Sequence, residues 1–347
     1  MKYIKFISPV AILLFLLYIF LYTDEKKDDT TEVNFWRYDF DELRYIPGKN
    51  DSDEKFFNEK FEIKRIHKGL KSNPFFRIHK KDSGKDISYE AGHLSKNLFT
   101  DFSVLNTKTM AEADEEILKK FSINDHSPRI ELYNSGELGK ILRIGSLNRD
   151  RSYRYLEAEG YLIGIPDYII SRFTGEESLL RQKQLLTIGD DLLLSLNYSG
   201  DMGNFQFVNV PNHERNPAKQ VWLKAHKSRI RINPSSISNL DGIVKKLSYD
   251  IYPDDEKGEG QAVAENLVSD KEIHTLEIHL VSGKKIRIRF FPPVMLNSVF
   301  YHPVLRTIDD WKESPAYINQ SNVNTLLQAI KHIEDEPPWS DQKQNQN

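Results

Sequence analysis

Two segments of the chain, residues 128–145 and 274–291, carry the same alternation of apolar and polar side chains around a short turn. An alternation with a period of two places apolar side chains on one face of a strand and polar ones on the other. The turns contain Gly136 and Gly283, and glycine favours reversal of the chain. The alternating apolar positions before these turns are Ile130 and Leu132 in the first copy and Leu276, Ile278 and Leu280 in the second. Each segment is therefore predicted to form an antiparallel β-hairpin.

The two hairpins belong to a longer internal repeat. Three pairs of residues are separated by the same number of positions, namely Phe76 and Trp222, Leu94 and Leu240, and Ile130 and Leu276. One offset shared by different element types is typical of a duplication. We therefore predict an α+β fold with two related units of antiparallel strands, each with one main helix. The predicted divisions are a transmembrane anchor at 1–23, an acidic spacer at 24–34, a first unit at 35–186, a second unit at 187–334 and a disordered tail at 335–347.

Local patterns predict the elements inside each unit. Apolar residues three or four positions apart predict a helix that contains Leu94, Leu98 and Phe102. Asn233 followed by Pro234 predicts the start of a second helix, because asparagine caps helices and proline suits the first turn. A C-terminal helix is predicted to be capped by Ser321. The predicted strands include 61–67, 75–80, 153–156 and 161–165 in the first unit and 204–210, 220–225 and 227–232 in the second.

The N-terminus predicts a membrane anchor. Residues 6–22 contain no charged side chain, with Lys2 and Lys5 before them and Asp24 and Glu25 after them. A run of this length approaches the thickness of a bilayer core of about 30 Å, and the basic flank predicts a cytoplasmic N-terminus. A cleaved signal peptide is the alternative, but cleavage needs small residues where this run ends in bulky ones. We therefore predict a single-pass membrane protein whose bulk lies outside the cytoplasm.

Composition and motif content exclude several kinds of site. The chain has no cysteine, which excludes disulfides, thiolate nucleophiles and cysteine zinc sites. Its net charge of −3 gives no argument for a nucleic-acid partner. Phosphate-binding glycine loops, nucleophile elbows and zinc-protease motifs do not occur. His274 and His279 lie five positions apart on a predicted strand and so face opposite ways. We predict no enzyme activity, no cofactor, no metal and no nucleic-acid partner.

One carboxylate pair provides an enzymatic alternative. Glu157 and Glu159 would lie about 6–7 Å apart on one face if the strand continued through them. Two carboxylates at such a distance serve as acid and base in glycoside hydrolysis. Their position beside the Gly160 turn favours ordinary solvated side chains instead.

Two basic alternations provide a binding alternative. If their strands were neighbours in one sheet, six cations would share a face suited to an anionic polymer or a lipid headgroup. An ordinary solvated face of an antiparallel sheet explains the same pattern, and we favour that interpretation. The six residues are Lys227, Arg229, Arg231, Lys285, Arg287 and Arg289.

Three stretches give the chain a resemblance to a known family. They are ILKKFSINDHSPRIELYNSGELGKILRIGS, SYRYLEAEGYLIGIP and LLRQKQLL, between residues 117 and 186. Together with the anchor they resemble the bacterial domain-of-unknown-function family 4340. The likeness covers most of residues 61–186 and the second half more loosely, with Phe76 where tryptophan is more usual and a charged loop at 254–270 as departures.

The resemblance implies a single-anchor protein of the bacterial inner membrane with tandem α+β units on the extracytoplasmic side. Some members of the family are encoded beside transporter-type and gliding-type membrane components. It carries over no catalytic residue. We therefore predict a membrane-anchored interaction or scaffold module that works with other envelope proteins, with the anionic-ligand module as the alternative.

Overall fold

The computed structural model describes residues 32–49, 56–66, 75–82, 84–174, 177–186, 192–212, 216–254 and 271–340. The predicted anchor at residues 6–22 and most of the predicted charged loop lie outside the described residues. Among the described helices, none is both long enough and apolar enough to cross a membrane.

Most of the described chain forms antiparallel sheets, which confirms the predicted α+β class. The first part comprises β1 (Val33–Arg37), β2 (Glu42–Ile46), β3 (Phe61–Ile66), β4 (Phe75–Asp82), β5 (Lys85–Glu90), α1 (His93–Ser103), β6 (Val104–Thr107), β7 (Thr109–Glu112), α2 (Glu115–Lys120), β8 (Arg129–Asn134), β9 (Glu137–Leu147), β10 (Tyr153–Ala158), β11 (Tyr161–Pro166) and α3 (Asp167–Ile170). β1 pairs with β6, and the other strands form a nine-stranded sheet.

The second part forms a ten-stranded sheet. It comprises β12 (Leu193–Gly200), β13 (Gly203–Asn212), β14 (Asn216–Lys224), β15 (Ile230–Arg231), α4 (Pro234–Lys246), β16 (His274–Leu280), β17 (Lys285–Phe290), β18 (Val294–Leu296), β19 (Val299–Ile308), β20 (Trp311–Lys312), β21 (Ala316–Asn319) and α5 (Gln320–Asp335).

The two sheets repeat one strand order. In the first sheet it runs β5-β4-β3-β2-β8-β9-β10, and in the second β15-β14-β13-β12-β16-β17-β19. A helix, α1 or α4, precedes the strand that joins the middle of the sheet. Both predicted hairpins are present, as β8–β9 and β16–β17.

Turn residues explain the tight hairpins of the first sheet. Ser135 and Gly136 connect β8 to β9, and Glu159 and Gly160 connect β10 to β11, with positive φ at all four residues. Two-residue turns of this kind match the right-handed twist of the strands they join. Only two residues therefore connect the strands in each of these hairpins.

A large apolar core runs through both sheets, and Phe291 and Leu305 form a small separate cluster. It includes Ile130 and Leu142 from the first sheet, Leu276 and Ile288 from the second, and Leu185 from the connecting segment. Helices α4 and α5 pack on each other, and α5 also contacts β19 and β21. The second sheet therefore carries two main helices, where the sequence predicted one for each unit.

Three local predictions differ from the structure. Residues 225–229 form a turn with positive φ at Ser228 and Arg229, so the predicted strand at 227–232 is reduced to β15. Asn319, not Ser321, caps α5 by accepting a hydrogen bond from the Ser321 amide. Residues 336–340 are also ordered, since the Trp339 amide donates to the Arg231 carbonyl at 3.1 Å, although the predicted disorder began at residue 335.

Candidate functional site

The six basic residues considered as an alternative binding face lie in two separate places. Strands β14, β13, β12 and β16 lie between β15 and β17. Adjacent strands are about 4.8 Å apart, so β15 and β17 are separated by about 24 Å. The condition for a shared six-residue face, that the two strands are neighbours, is therefore not met, because the alternation along a strand carries no information about strand order. The first set is Lys227, Arg229 and Arg231, and the second is Lys285, Arg287 and Arg289.

The set beside β15 packs near the end of the C-terminal helix. Lys227 forms an ion pair with Glu334 of α5. The carbonyl of Arg231 accepts the hydrogen bond from Trp339. Arg229 is exposed at the tip of the turn. This set therefore holds a turn against α5.

The set on β17 borders a groove in the ten-stranded sheet, whose lining combines outward-facing polar side chains with Tyr198, Phe205 and His226. The groove has a volume of about 390 Å³ and is lined mainly by residues of β12, β13 and β16. Ligand sites in proteins typically measure about 300–1,000 Å³. Its lining includes the polar residues Asn197, Ser199, Asn204, Gln206, Thr275 and Glu277.

Cross-strand pairing arranges these side chains in two rows. One row runs Gln206, Asn197, Glu277 and Arg287 across β13, β12, β16 and β17. The next row runs Asn204, Ser199, Thr275 and Arg289 across the same strands. Directly opposed side chains in such rows lie within interaction distance. Both rows therefore consist mainly of amide and hydroxyl side chains, and each row ends at an arginine of β17.

The polar groups of the groove differ in how well they are paired. Ser199 Oγ donates to Asn204 Oδ1 at 2.6 Å, and Arg287 Nε donates to Glu277 Oε1 at 2.6 Å. The Asn197 Oδ1 atom is buried and accepts no hydrogen bond from any described residue. Arg289 forms no ion pair with an acidic side chain in the described ranges, and it is half-buried. Arg289 thus retains hydrogen-bonding capacity at the border of the groove, whereas the Asn197 oxygen is closed to solvent.

The corresponding face of the nine-stranded sheet is closed by ion pairs. There Arg44 occupies the middle of a row with Glu62 and Glu131. Its guanidinium contacts Glu42 and lies 3.6 Å from Glu62, and it stacks 4.0 Å from the Tyr133 ring. Equivalent strands thus carry an arginine in the first sheet and Asn197 in the second.

The inner side of the same strands is packed tightly. Tyr198 Oη and His274 Nδ1 are 2.9 Å apart and buried. Burial lowers the pKa of His274 and raises that of Tyr198. A Cβ atom on Gly200 would lie 2.5 Å from Tyr198 Oη and 2.6 Å from His274 Nδ1. Any side chain larger than that of glycine would collide with these two atoms, so position 200 at the end of β12 requires glycine.

His226 joins the groove to α5. Its Nδ1 accepts a hydrogen bond of 3.0 Å from the backbone N–H of Gln206, and its Nε2 lies 2.9 Å from Glu334 Oε2. Burial would raise the pKa of Glu334, but hydrogen bonds from Lys227 and His226 lower it. Lys224 Nζ donates to the Glu334 and Glu336 carbonyls, each at 2.7 Å, which stabilises the C-terminal end of the helix. The groove wall is therefore attached to a fixed helix end.

A buried ionic cluster joins the two sheets. Arg306 of β19 is fully buried and donates to both oxygens of Glu313 at 2.6 and 2.7 Å and to Glu90 of β5 at 2.9 Å. Its Nη1 also donates to the Leu185 carbonyl at 2.5 Å. Tyr249 Oη donates to Glu313 at 2.8 Å. Both acids are thus satisfied by partners from distant parts of the chain.

A second cluster lies beside the first. Arg181 is buried between the Tyr89 and Tyr252 rings, at 4.6 and 4.8 Å, and forms a two-point contact with Asp254. Lys80 Nζ lies 2.8 Å from Asp254. Burial would raise the pKa of Asp254, but the hydrogen bond and charge of Arg181, with Lys80, lower it to about 2. The charged groups of both clusters are paired with one another in the interior of the protein. We therefore place the candidate site at the groove.

The carboxylates considered for hydrolysis have ordinary partners. Arg143 lies 3.0 Å from Glu157, and Lys140 pairs with Glu159. β10 ends at Ala158, so Glu159 lies in the turn and the two acids do not continue along one strand face. Within the ranges the structure describes, no group of three metal-ligating side chains converges.

Comparison with known proteins gives no assignment. No protein-family model matches the chain, and no curated protein sequence matches it. The resemblance to the bacterial domain-of-unknown-function family 4340 stays a prediction.

The strand at the centre of each sheet, β2 in the first and β12 in the second, was not predicted from the sequence, and the groove was therefore not predicted either. β12 carries polar Ser195, Asn197 and Ser199 alternating with buried Leu196 and Tyr198. This alternation was a usable signal. The three consecutive leucines at 192–194 interrupt the period of two at the start of the strand and so hide the alternation.

Replacing Arg306 by methionine should destabilise the protein by about 3–5 kcal/mol, because two buried carboxylates lose their counter-ion. Equilibrium urea unfolding of the full-length chain measures this. The matched control is Arg287→Met, which removes an exposed ion pair with a 59% exposed arginine side chain and should cost at most about 1 kcal/mol. Equal losses of unfolding free energy for the two substitutions would contradict a stabilising role for the buried ionic cluster around Arg306.

Asp254 should make the fold sensitive to acid. Its folded pKa of about 2 lies below the ordinary value of 3.8, so its carboxylate stabilises the fold at neutral pH and this contribution is lost as pH falls from about 4 to about 2. The loss amounts to about 2 kcal/mol. Unfolding curves between about pH 5 and pH 2 should show a steeper loss for the wild type than for Asp254→Asn. Parallel curves would refute this.

Proposed function

We propose that the protein is a membrane-anchored, extracytoplasmic interaction module without enzymatic activity, built from a duplicated α+β unit. The uncharged run at residues 6–22, with lysines before it and acidic residues after it, supports the anchor and its orientation. The shared strand order of the two sheets supports the duplication.

The observation that carries the proposal is an uncharged, exposed hairpin. Residues 290–305 include no aspartate, glutamate, lysine or arginine, although charged residues make up 29% of the chain. Strands β18 and β19 form the hairpin, with Met295 paired with Phe300 across it. Their exposed fractions are 61% and 50%, and Val299 is also exposed. Exposed apolar groups clustered in this way mark contact surfaces.

The base of this hairpin is fixed. Asn297 and Ser298 make a two-residue turn with positive φ, and Leu296 is buried. His302 is buried, and its Nδ1 lies 2.9 Å from the Phe291 carbonyl oxygen. β19 also pairs with β17 and β21. The tip is therefore displayed on a rigid support, which lowers the entropic cost of binding.

The occupant that fits this tip is the apolar surface of another membrane protein. The predicted spacer ends at residue 32, because β1 begins at Val33, and residues 24–32 extend at most about 32 Å, which keeps the folded part close to the bilayer. Surfaces that bind lipid directly combine apolar side chains with lysine or arginine. Residues 290–305 contain no lysine and no arginine. Protein contact therefore accounts for the hairpin better than lipid contact does.

The topology can be tested because the natural chain has no cysteine. Lys2→Cys and Leu138→Cys introduce single thiols at the N-terminus and at an exposed position on β9. In intact spheroplasts, a membrane-impermeant maleimide should label Leu138→Cys and should label Lys2→Cys only after lysis. Loss of the Lys2→Cys thiol from the mature chain, or labelling of both thiols before lysis, would contradict an N-in anchor.

The partner can be tested by photo-crosslinking from position 295 in the full-length chain in its own membrane. We expect one defined set of membrane proteins, lost in Phe300→Asp and in a chain that starts at Thr23. The matched control is Tyr168→Asp, another exposed aromatic, 60% exposed, which should retain the set. Crosslinks only to itself, or a set that persists in Phe300→Asp, would eliminate the proposal.

A further inference from the structure

The outer face of the ten-stranded sheet has the composition of a binding surface for a polyhydroxylated ligand. Its two central rows present amides and hydroxyls from Asn197, Gln206, Asn204, Ser199 and Thr275. Amide side chains donate and accept at once, as sugar hydroxyls do. A surface of this kind suits a ligand with many hydroxyl groups better than a purely anionic one.

Comparison of the two sheets shows how the groove arises. The nine-stranded sheet has Arg44 in the row of Glu131, where the guanidinium stacks on Tyr133 and contacts acids. The ten-stranded sheet has Asn197 in the row of Glu277. The shorter amide leaves space at the centre of the face, and the buried Asn197 Oδ1 has no donor among the described residues. That oxygen is itself closed to solvent, so the groups that a ligand can reach here are the exposed side chains of Ser199, Asn204 and Gln206.

The border of the groove on β17 adds positive charge. Arg289 has no acidic partner within the described part of the chain, and Arg287 is paired only with Glu277. An exposed pair of this kind contributes about 0–1 kcal/mol, so Arg287 exchanges partners at little cost. Lys285 lies on the same face of the strand. Arginine binds carboxylates with two parallel hydrogen bonds, which matches a sugar acid.

We infer that this groove binds an acidic oligosaccharide, with sugar hydroxyls on the amides of β12 and β13 and a sugar carboxylate on Arg289 and Arg287. Four strands carry the rows, and the span from Gln206 to Arg287 is about 14 Å at ordinary strand spacing. That span accommodates several groups of one ligand. The site is separate from the β18–β19 tip, so it stands or falls independently of the proposed protein partner.

The probe for the test is a trisaccharide of galacturonic acid, titrated by calorimetry into the full-length chain in detergent. Two comparison ligands separate the contributions: a neutral galactose trisaccharide retains hydroxyls without carboxylates, and triglutamate retains carboxylates without hydroxyls. We expect the acidic trisaccharide to bind at least about tenfold more tightly than either.

Three variants locate the site. Arg289→Gln should weaken binding by about tenfold or more, because a charge-assisted hydrogen bond is lost. Asn197→Arg should abolish binding by restoring the arginine of the first sheet beside Glu277, while the fold is retained. Arg229→Gln is the matched control, since it removes the same charge from an exposed turn outside the groove, and its affinity should match that of the wild type. Unchanged thermal unfolding establishes that each variant is folded.

Several outcomes would overturn the inference. They are no binding by the wild type at millimolar probe, equal binding of the neutral trisaccharide or of triglutamate, and full affinity in Arg289→Gln or Asn197→Arg. Arg289-dependent capture of anionic phospholipid vesicles without trisaccharide binding would assign the face to a lipid headgroup instead.

Discussion

The contact of Arg306 with Glu90 and Glu313 determines how the two halves of the protein are held together. A buried guanidinium requires full compensation, and the acids that supply it come from both sheets. Because the partners are fixed in distance and direction, the sheets have one relative placement that satisfies them. The apolar core continues through the same junction, so packing and charge specify the same arrangement.

The side chains on the outer faces of the two sheets take no part in this contact, and they differ between the sheets. In the first sheet Arg44 and its acidic neighbours compensate one another, and such a face offers little to a ligand. In the second sheet the row of Glu277 carries Asn197 and Gln206, and Arg289 has no acidic partner among the described residues. One architecture therefore supports a closed face and an open one. The apolar β18–β19 tip is a third surface, at the other side of β19 from the groove strands.

The sequence predicts the local structure well and the long-range structure only in part. The alternation around Gly136 and Gly283 and the Asn233–Pro234 cap depend on neighbouring residues, and the predicted elements are present. The sequence left open whether the basic residues at Arg231 and Arg287 share one face, and strand order separates the two sets. Arg306 and Glu90 are unremarkable in the sequence, because only the fold brings them together. The groove depends on Asn197 in a strand whose leucines hid its alternation.

The distance along the chain between Glu90 and Arg306 has a consequence for how the protein folds. They are 216 positions apart, so the first sheet is synthesised long before its counter-ion exists. Until β19 forms, Glu90 and Tyr89 belong to an unfinished surface. Contacts of this sequence separation slow folding, because a long loop must close before they form. The ion pair that joins the two sheets can therefore form only after most of the chain has been synthesised.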